Sequence, residues 1–405
     1  MTCTYNPCDG LHFLANLYNC TECIHYLDNA PKLQQYCLAA VSKSKLTALG
    51  QLFHQFDNGG VTGTVVLAES HLAIHTWPES RTVTLDVYVS NYTKNNSHSA
   101  RMLVDDLIHF FKPIDTTRHT IERNISFVSE MLSKDYGFIL RSEKQLASFR
   151  TDFQSLEVHD TPQFGRVLRL GDHFQTSEKE EYFYHENLIH PALTTLKNPK
   201  RVLIIGGGDG GSAEEVIKHP SIEQVILVEI DCKVVEIAKE FFATIHNNVF
   251  NDPRFKLLIE DGFDFIVKNE THFDCIVLDI PDPIGSAQKL YEEEFLYHCK
   301  RSLVYGGILT LHLGAPIVNP SQAKLIYRYL KPIFSVVKLY TVFVPLYGNL
   351  WLMAACSDSF DPTSLSETEI DKRIQEREIN DLQYYNGATH HGIFSLPNFL
   401  RNFIE

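Results

Sequence analysis

The chain has 405 residues, too many for one small core, and that length predicts about two to three domains. A hydrophobic share of 44% beside 21% charged residues describes an ordinary globular protein. The net charge of −14 excludes nucleic acid as the main partner, because phosphate contacts need basic surface, and it suits a cationic small molecule.

In chain order, residues 13–18 read as a strand and 32–44 as a helix. Residues 65–68, 71–76 and 83–89 are apolar strands. Residues 100–111 repeat with helical period, placing Met102, Leu103, Leu107, Ile108 and Phe111 on one face. These elements make up a first domain, 1–127, followed by a charged, mixed stretch, 128–150, expected to be a linker to a second domain, 151–405. A hairpin-like region begins at Ser155, with Phe164-Gly165-Arg166-Val167-Leu168 and a polar turn at Gly171-Asp172. From Val202 to about Ala355 strands alternate with helices, which predicts a parallel, doubly wound sheet. A charged helix is expected over 367–382.

Nine cysteines, scattered except for Cys20-Thr21-Glu22-Cys23, point to a reducing compartment rather than a disulfide framework. The chain opens without a basic segment leading into an apolar one, and no apolar run approaches the roughly 20 residues a membrane helix needs. The expectation is a cytoplasmic enzyme without membrane or nucleic-acid partners.

Two stretches carry chemistry. In the first, Glu69-Ser70-His71 is followed by Ile74-His75-Thr76-Trp77-Pro78-Glu79. A serine beside a histidine can be an acyl nucleophile, but no G-x-S-x-G elbow surrounds it. The run resembles the prokaryotic type of S-adenosylmethionine decarboxylase, a pyruvoyl-dependent α+β sandwich. The resemblance implies that the Ser70 hydroxyl attacks the Glu69 carbonyl, that elimination then cuts the chain between them, and that the new terminus is a pyruvoyl group. Such a cap forms a Schiff base with an amino acid and withdraws electrons as carbon dioxide leaves. It further implies that His75 assists processing, that Thr62 of Gly60-Val61-Thr62-Gly63 keeps the hydroxyl this step uses, and that Phe56 stacks on the substrate adenine. Two positions depart from the family: Asn16 replaces an aspartate, and Ser90 follows Asp86-Val87-Tyr88-Val89 where the family has the cysteine that reprotonates the substrate carbon. A thiol titrates near 8.5; an aliphatic hydroxyl is a far poorer proton donor.

In the second stretch, Arg201-Val202-Leu203-Ile204-Ile205 runs into Gly206-Gly207-Gly208-Asp209-Gly210-Gly211. Later strands end in Glu229, in Asp261-Gly262 and in Asp279-Ile280-Pro281-Asp282. Ligands of open α/β sheets bind at this carboxyl edge. Asp209 would repel a pyrophosphate and attract an ammonium or sulfonium. Glu229 stands near the spacing that accepts ribose hydroxyls, and Asp261 can accept from an adenine amino group. This favours a methyltransferase-like, Rossmann-like site over a dinucleotide site. Asp279 and Asp282 can hold an amine, and one can take its proton.

With Gln175-Thr176-Ser177-Glu178, Tyr182-Phe183-Tyr184-His185-Glu186, Pro345-x-Tyr347 and Tyr384-Tyr385-Asn386, these residues make 155–405 similar to the polyamine aminopropyltransferases, spermidine synthase above all. The resemblance implies transfer of an aminopropyl group from decarboxylated S-adenosylmethionine to putrescine, releasing methylthioadenosine, without a metal. Asp279 would be the general base. Gln175, Gly206, Gly208, Asp209, Glu229, Asp261 and Gly262 would bind the donor, and Tyr184, His185, Asp282 and Tyr347 the acceptor amine. Glu214 replaces the arginine common after the glycine loop, and the loop after Tyr347 is short, which leaves a longer polyamine or agmatine open as acceptor. Both parent families self-associate, so a homodimer or larger homo-oligomer is implied. The chain thus reads as a fused enzyme of polyamine synthesis. Its first module either decarboxylates S-adenosylmethionine, or decarboxylates ornithine or arginine, or is a non-catalytic domain for assembly and regulation.

Overall fold

The computed structural model describes residues 10–404 apart from 58, 92–93, 124–125 and 284. The chain divides into two units, Met1–Ser126 and Phe127–Glu405.

The first unit runs β1 (Gly10–Cys20), α1 (Ala30–Lys43), β2 (Ala48–Gln55), β3 (Val61–Leu67), β4 (Ser70–Trp77), β5 (Thr82–Ser90), α2 (Ser97–Phe111) and β6 (Pro113–Glu122). The strands form one antiparallel sheet in the order β2-β3-β4-β5-β1-β6. Strict alternation sends Phe13, Ala15, Leu17, Leu72, Ile74, Val83, Leu85 and Val87 to one face. There they pack with Leu33, Cys37, Val41, Leu103, Val104, Leu107 and Phe111 of the two helices. Asn29 starts α1 by accepting from the Lys32 N–H at 3.0 Å, with Pro31 in the first turn. The same alternation leaves His12, Thr62, His71, His75, Asp86 and Tyr88 on the opposite face.

The second unit begins with β7 (Ser126–Met131), β8 (Gly137–Ser142), β9 (Lys144–Arg150), β10 (Ser155–Thr161), β11 (Gly165–Leu170) and β12 (His173–Ser177). β7 pairs with β8, and the other four form an antiparallel sheet in the order β12-β11-β10-β9. Residues 128–150 are therefore not a linker. Val128, Phe138 and Leu140 pack with Val167, Phe174 and Leu346, and Leu146 and Ala147 pack with Leu156 and Val158. Charged residues on the alternate positions conceal these apolar ones in the sequence.

After α3 (Tyr182–Thr195) come β13 (Arg201–Gly206), α4 (Gly211–Ile217), β14 (Gln224–Glu229), α5 (Cys232–Phe241), α6 (Ala243–His246), β15 (Phe255–Ile259), α7 (Gly262–Lys268), β16 (Phe273–Asp279), α8 (Glu293–Arg301), β17 (Leu303–Gly314), α9 (Pro320–Ile333), β18 (Val336–Val344) and β19 (Asn349–Ser357). The sheet order is β15-β14-β13-β16-β17-β19-β18. Its first five strands are parallel, and apolar cores cover both faces. The expected all-parallel sheet needs correction at its far edge, where β19 runs antiparallel to both β17 and β18. The connection over 345–348 is too short for the crossover that a parallel neighbour requires. The chain closes with α10 (Glu367–Glu376), α11 (Gly387–Ile393) and α12 (Asn398–Ile404). The helix expected to reach 382 stops at Glu376, because Glu378 turns left-handed at φ 56° and sends Ile379 into the core. Among the described residues, no helix is long and apolar enough to cross a membrane.

Candidate functional site

From β13 the chain moves outward to β15 and returns to β16, so the order reverses between β13 and β16. Gly206 and Asp279, the last residues of those strands, are paired there. Gly206 has φ 81°, and a Cβ on it would stand 2.0 Å from the Asp279 carbonyl oxygen, so only glycine fits. The next N–H, of Gly207, donates to that oxygen at 2.7 Å. A Cβ on Gly208 would stand 2.8 Å from Glu229 Oε2. These close approaches open a cavity of about 390 Å³ along the carboxyl edge of the sheet. The residues expected to bind donor and acceptor, and the expected base, line it: Gln175, Tyr184, His185, Gly206, Gly208, Asp209, Glu229, Asp261, Gly262, Asp279, Asp282 and Tyr347.

Asp279 sits at its centre. Ser212 Oγ donates to Asp279 Oδ2 at 2.6 Å, and the nearby Tyr184 phenol also favours the charged form of this carboxylate. Burial pushes the Asp279 carboxyl above the usual range; neighbouring His185 works against that shift, and Asp209 adds to it. His185 is enclosed by carboxylates. Its Nδ1 donates to Glu181 Oε2 at 2.7 Å, and its Nε2 lies 3.5 Å from Asp209 Oδ2. Burial opposes charge on this ring, yet Asp209, Glu181 and Asp279 together raise its pKa to about 10, so it is a cation at neutral pH. Asp209 Oδ1 accepts the Gly211 N–H at 3.1 Å.

At one end, Glu229 Oε1 accepts the Asp231 N–H at 2.9 Å, and burial pushes its carboxyl up to about 7. Asp261 caps α7 through Oδ1, which accepts from the Phe263 N–H at 2.8 Å, while Oδ2 accepts from Lys289 Nζ at 2.6 Å. Burial opposes ionisation of Asp261, but these donors keep its pKa below the ordinary value. At the other end, the Tyr347 hydroxyl donates to the Gln175 carbonyl at 2.7 Å, and its ring stands 5.9 Å from Tyr184 and 4.7 Å from Trp351. Burial raises the Asp282 pKa, and Asp282 Oδ1 finds no hydrogen-bond donor among the described residues.

Several lining groups escaped the sequence reading. Glu130, on β7, accepts from His173 Nδ1 at 3.0 Å and from the Phe174 N–H at 2.8 Å, so it brings a buried carboxylate to the Asp282 end. Its signal was the inward alternation Val128-x-Glu130 inside the supposed linker. Lys289 lines the cavity but lies in no motif that singles it out, and the same is true in sequence of Ser212, which reaches Asp279 without lining the cavity. Glu214, by contrast, does not line the cavity. It pairs with Lys218 at 3.0 Å, and burial raises its pKa to about 7.

In the first unit, Ser70 opens β4 with φ 117°, a strained value for a residue with a side chain. The carbonyl before it, that of Glu69, accepts the Ser90 N–H at 3.0 Å. Asn96 Nδ2 donates to Glu69 Oε2 at 2.8 Å and to the Ser90 carbonyl at 2.9 Å. Thr62 Oγ1 and His75 Nδ1 are 2.7 Å apart across paired strands. Phe56 remains 47% exposed, its ring edge-on to His54. On the same sheet face, Asp86 Oδ1 accepts from His12 at 2.7 Å and from His71 at 3.3 Å. Among the described residues two groups have metal-like spacing, His12-His71-Asp86 and His185-Asp209-Asp279. In the first group Arg123 approaches the other ring nitrogen of His12, Nδ1, at 3.3 Å. The seven described cysteines are free thiols.

A family model for the spermine/spermidine synthase domain matches residues 181–368, and one for S-adenosylmethionine decarboxylase matches residues 11–124. The chain is 43% identical over 280 residues to the polyamine aminopropyltransferase of Nitrosomonas europaea, covering 69% of this chain and 86% of that protein. It is 39% identical over 278 residues to the polyamine aminopropyltransferase of Moorella thermoacetica, covering 68% and 95%. Among solved structures it resembles a spermidine synthase in complex with the transition-state analogue AdoDATO, with TM-score 0.65, 32% identity, and coverage of 69% of this chain and 94% of that one. The spermidine synthase from Thermotoga maritima aligns over the same shares with TM-score 0.63 and 31% identity.

Proposed function

Because the chain belongs to the spermine/spermidine synthase family and carries an S-adenosylmethionine decarboxylase domain ahead of it, we propose that it transfers the aminopropyl group of decarboxylated S-adenosylmethionine to putrescine, giving spermidine and methylthioadenosine. One observation carries this reading: six carboxylates, Glu130, Asp209, Glu229, Asp261, Asp279 and Asp282, line a single cavity. A donor with a sulfonium and an ammonium, and an acceptor with two ammoniums, are the cations that such a lining selects.

In this reading Glu229 accepts the ribose hydroxyls and Asp261 the adenine amino group, with Gly206, Gly208 and Gly262 leaving room for the nucleoside. Asp209 binds the donor ammonium, and Gln175 borders the aminopropyl chain. A carboxylate on the donor would meet Asp209 and Asp279 and be repelled, which disfavours intact S-adenosylmethionine. The acceptor enters beside Tyr184 and Tyr347, its far ammonium near Asp282 and Glu130, while the His185 cation balances Glu181 and Asp209. A protonated amine has no lone pair, so Asp279 must take a proton before attack, and its raised pKa suits that task. The free amine attacks the carbon next to sulfur, the carbon–sulfur bond breaks, and neutral methylthioadenosine leaves. Supplying decarboxylated donor and putrescine and following spermidine by chromatography tests the assignment. Product formation confined to methyl transfer from S-adenosylmethionine would overturn it.

For the first unit, the strained Ser70 and the Glu69 carbonyl held by the Ser90 N–H fit self-cleavage to a pyruvoyl terminus. In this reading the N–H stabilises the oxyanion formed when Ser70 Oγ attacks, whereas His75, the base of the family pattern, pairs with Thr62 five residues farther along β4, roughly 16 Å of extended strand from Ser70. Once formed, the pyruvoyl group supplies the electron sink for loss of carbon dioxide. The proposed substrate is S-adenosylmethionine, which would provide the donor for the second unit. Ser90 in the place of a thiol favours one second reading, decarboxylation of ornithine or arginine to provide the acceptor. Labelled S-adenosylmethionine, ornithine and arginine, each offered alone, distinguish the two by which one releases labelled carbon dioxide.

A further inference from the structure

Among the described residues lining this acidic cavity, Lys289 is the sole lysine or arginine. Its Nζ lies 2.6 Å from Asp261 Oδ2 and 5.6 Å from the centre of the Phe263 ring. Asp261 Oδ1 is committed to capping α7, accepting from the Phe263 N–H at 2.8 Å and the Asp264 N–H at 3.4 Å. The carboxylate oxygen open to a ligand is therefore the one that Lys289 already touches. The pair lies at the cavity wall, with the lysine side chain 44% exposed, where an ion pair contributes little by itself and its lysine can be redirected at small cost.

An oxygen beside an ammonium offers an acceptor next to a donor. A 6-aminopurine presents the complement, an exocyclic amino group flanked on each side by a bare ring nitrogen, N1 or N7. We infer that Lys289 reads the adenine ring, donating to one of these nitrogens while Asp261 accepts from the amino group. This rests on the donor site proposed above. A single positive charge at the base end also fits the electrostatics, because it faces a neutral ring and keeps a polyamine ammonium from settling on Asp261.

Calorimetric titration of the full chain and of Lys289→Met with methylthioadenosine and its 1-deaza and 7-deaza analogues tests the inference. Methylthioadenosine is expected to bind Lys289→Met about tenfold more weakly, consistent with loss of one charge-assisted hydrogen bond. One deaza analogue, the one lacking the contacted nitrogen, is expected to bind both proteins equally. Affinities that do not change, that fall by the same factor for all three compounds, or that rise in the variant would overturn the role of Lys289. A wild-type chain that binds none of the three would overturn the donor site itself, and the role of Lys289 with it.

Discussion

Ser212 Oγ donates to Asp279 Oδ2 at 2.6 Å, which ties the second residue of α4 to the last residue of β16. The bond favours the charged carboxylate, while burial favours the protonated one. A base works in its deprotonated form, so the rate should rise with pH through the Asp279 pKa. Ser212→Ala removes a donor, raises that pKa further, and is expected to move the acid limb of the kcat/KM profile to higher pH while sparing the alkaline plateau. Asp279→Asn is expected to lower kcat by about 10²–10⁴. Steady-state kinetics from pH 5 to 10 checks both outcomes, and an unmoved acid limb in Ser212→Ala would detach Asp279 from the proton transfer.

Glu229 titrates near 7 against an ordinary 4.5 because it is buried. A folded-state pKa above the unfolded one means that the stabilisation is complete below pH 4.5 and is lost as pH rises through about 7. Without ligand, Glu229→Gln is therefore expected to melt about 3 °C above the wild type at pH 8 and to match it more closely at pH 5. It should also bind methylthioadenosine more weakly. Thermal melts at the two pH values, with and without the nucleoside, provide the measurement.

Asp209 faces His185 and the centre of the cavity. With Asp209→Asn the donor ammonium loses its counter-charge, and KM for decarboxylated S-adenosylmethionine is expected to rise about 30-fold, the scale of one charged hydrogen bond. Preference over intact S-adenosylmethionine should shrink, because less negative charge opposes its carboxylate. Competition between the two sulfonium compounds reads this directly, and an unchanged preference would contradict the electrostatic account.

The Ser90 N–H, not its side chain, meets the Glu69 carbonyl. Ser90→Ala is therefore expected to self-cleave before Ser70 as the wild type does, while Ser70→Ala stays intact and Thr62→Ala cleaves more slowly. Intact-mass measurement of each purified protein, with aminopropyl transfer as the folding control, checks the order. An intact wild-type chain with full transferase activity would turn the first unit into a non-catalytic domain.

Much of this was legible along the chain because it is written locally. The glycine loop after an apolar strand, and the acids at Glu229, Asp261 and Asp279, announce a ligand edge by order and spacing. The alternation of 83–89 and the helical stripe of 100–111 mark their elements, since each buries one face. The strands of 128–150 were hidden because their apolar positions are few and their partners lie distant in sequence, as with Val128 and Leu346. The antiparallel edge was hidden because strand direction depends on where a short turn delivers the chain.

The amino-acid order alone therefore determined the two domain types, the switch-point loop and which acids stand at strand ends, because these follow from nearest-neighbour geometry and hydrophobic period. Only the tertiary structure decided that Glu130 joins those acids, that Ser212 and Lys289 touch them, and that His185 carries a proton while Asp279 and Glu229 titrate high. Those properties arise from loss of water and from distances of a few ångströms across space, quantities that separation along a chain does not encode.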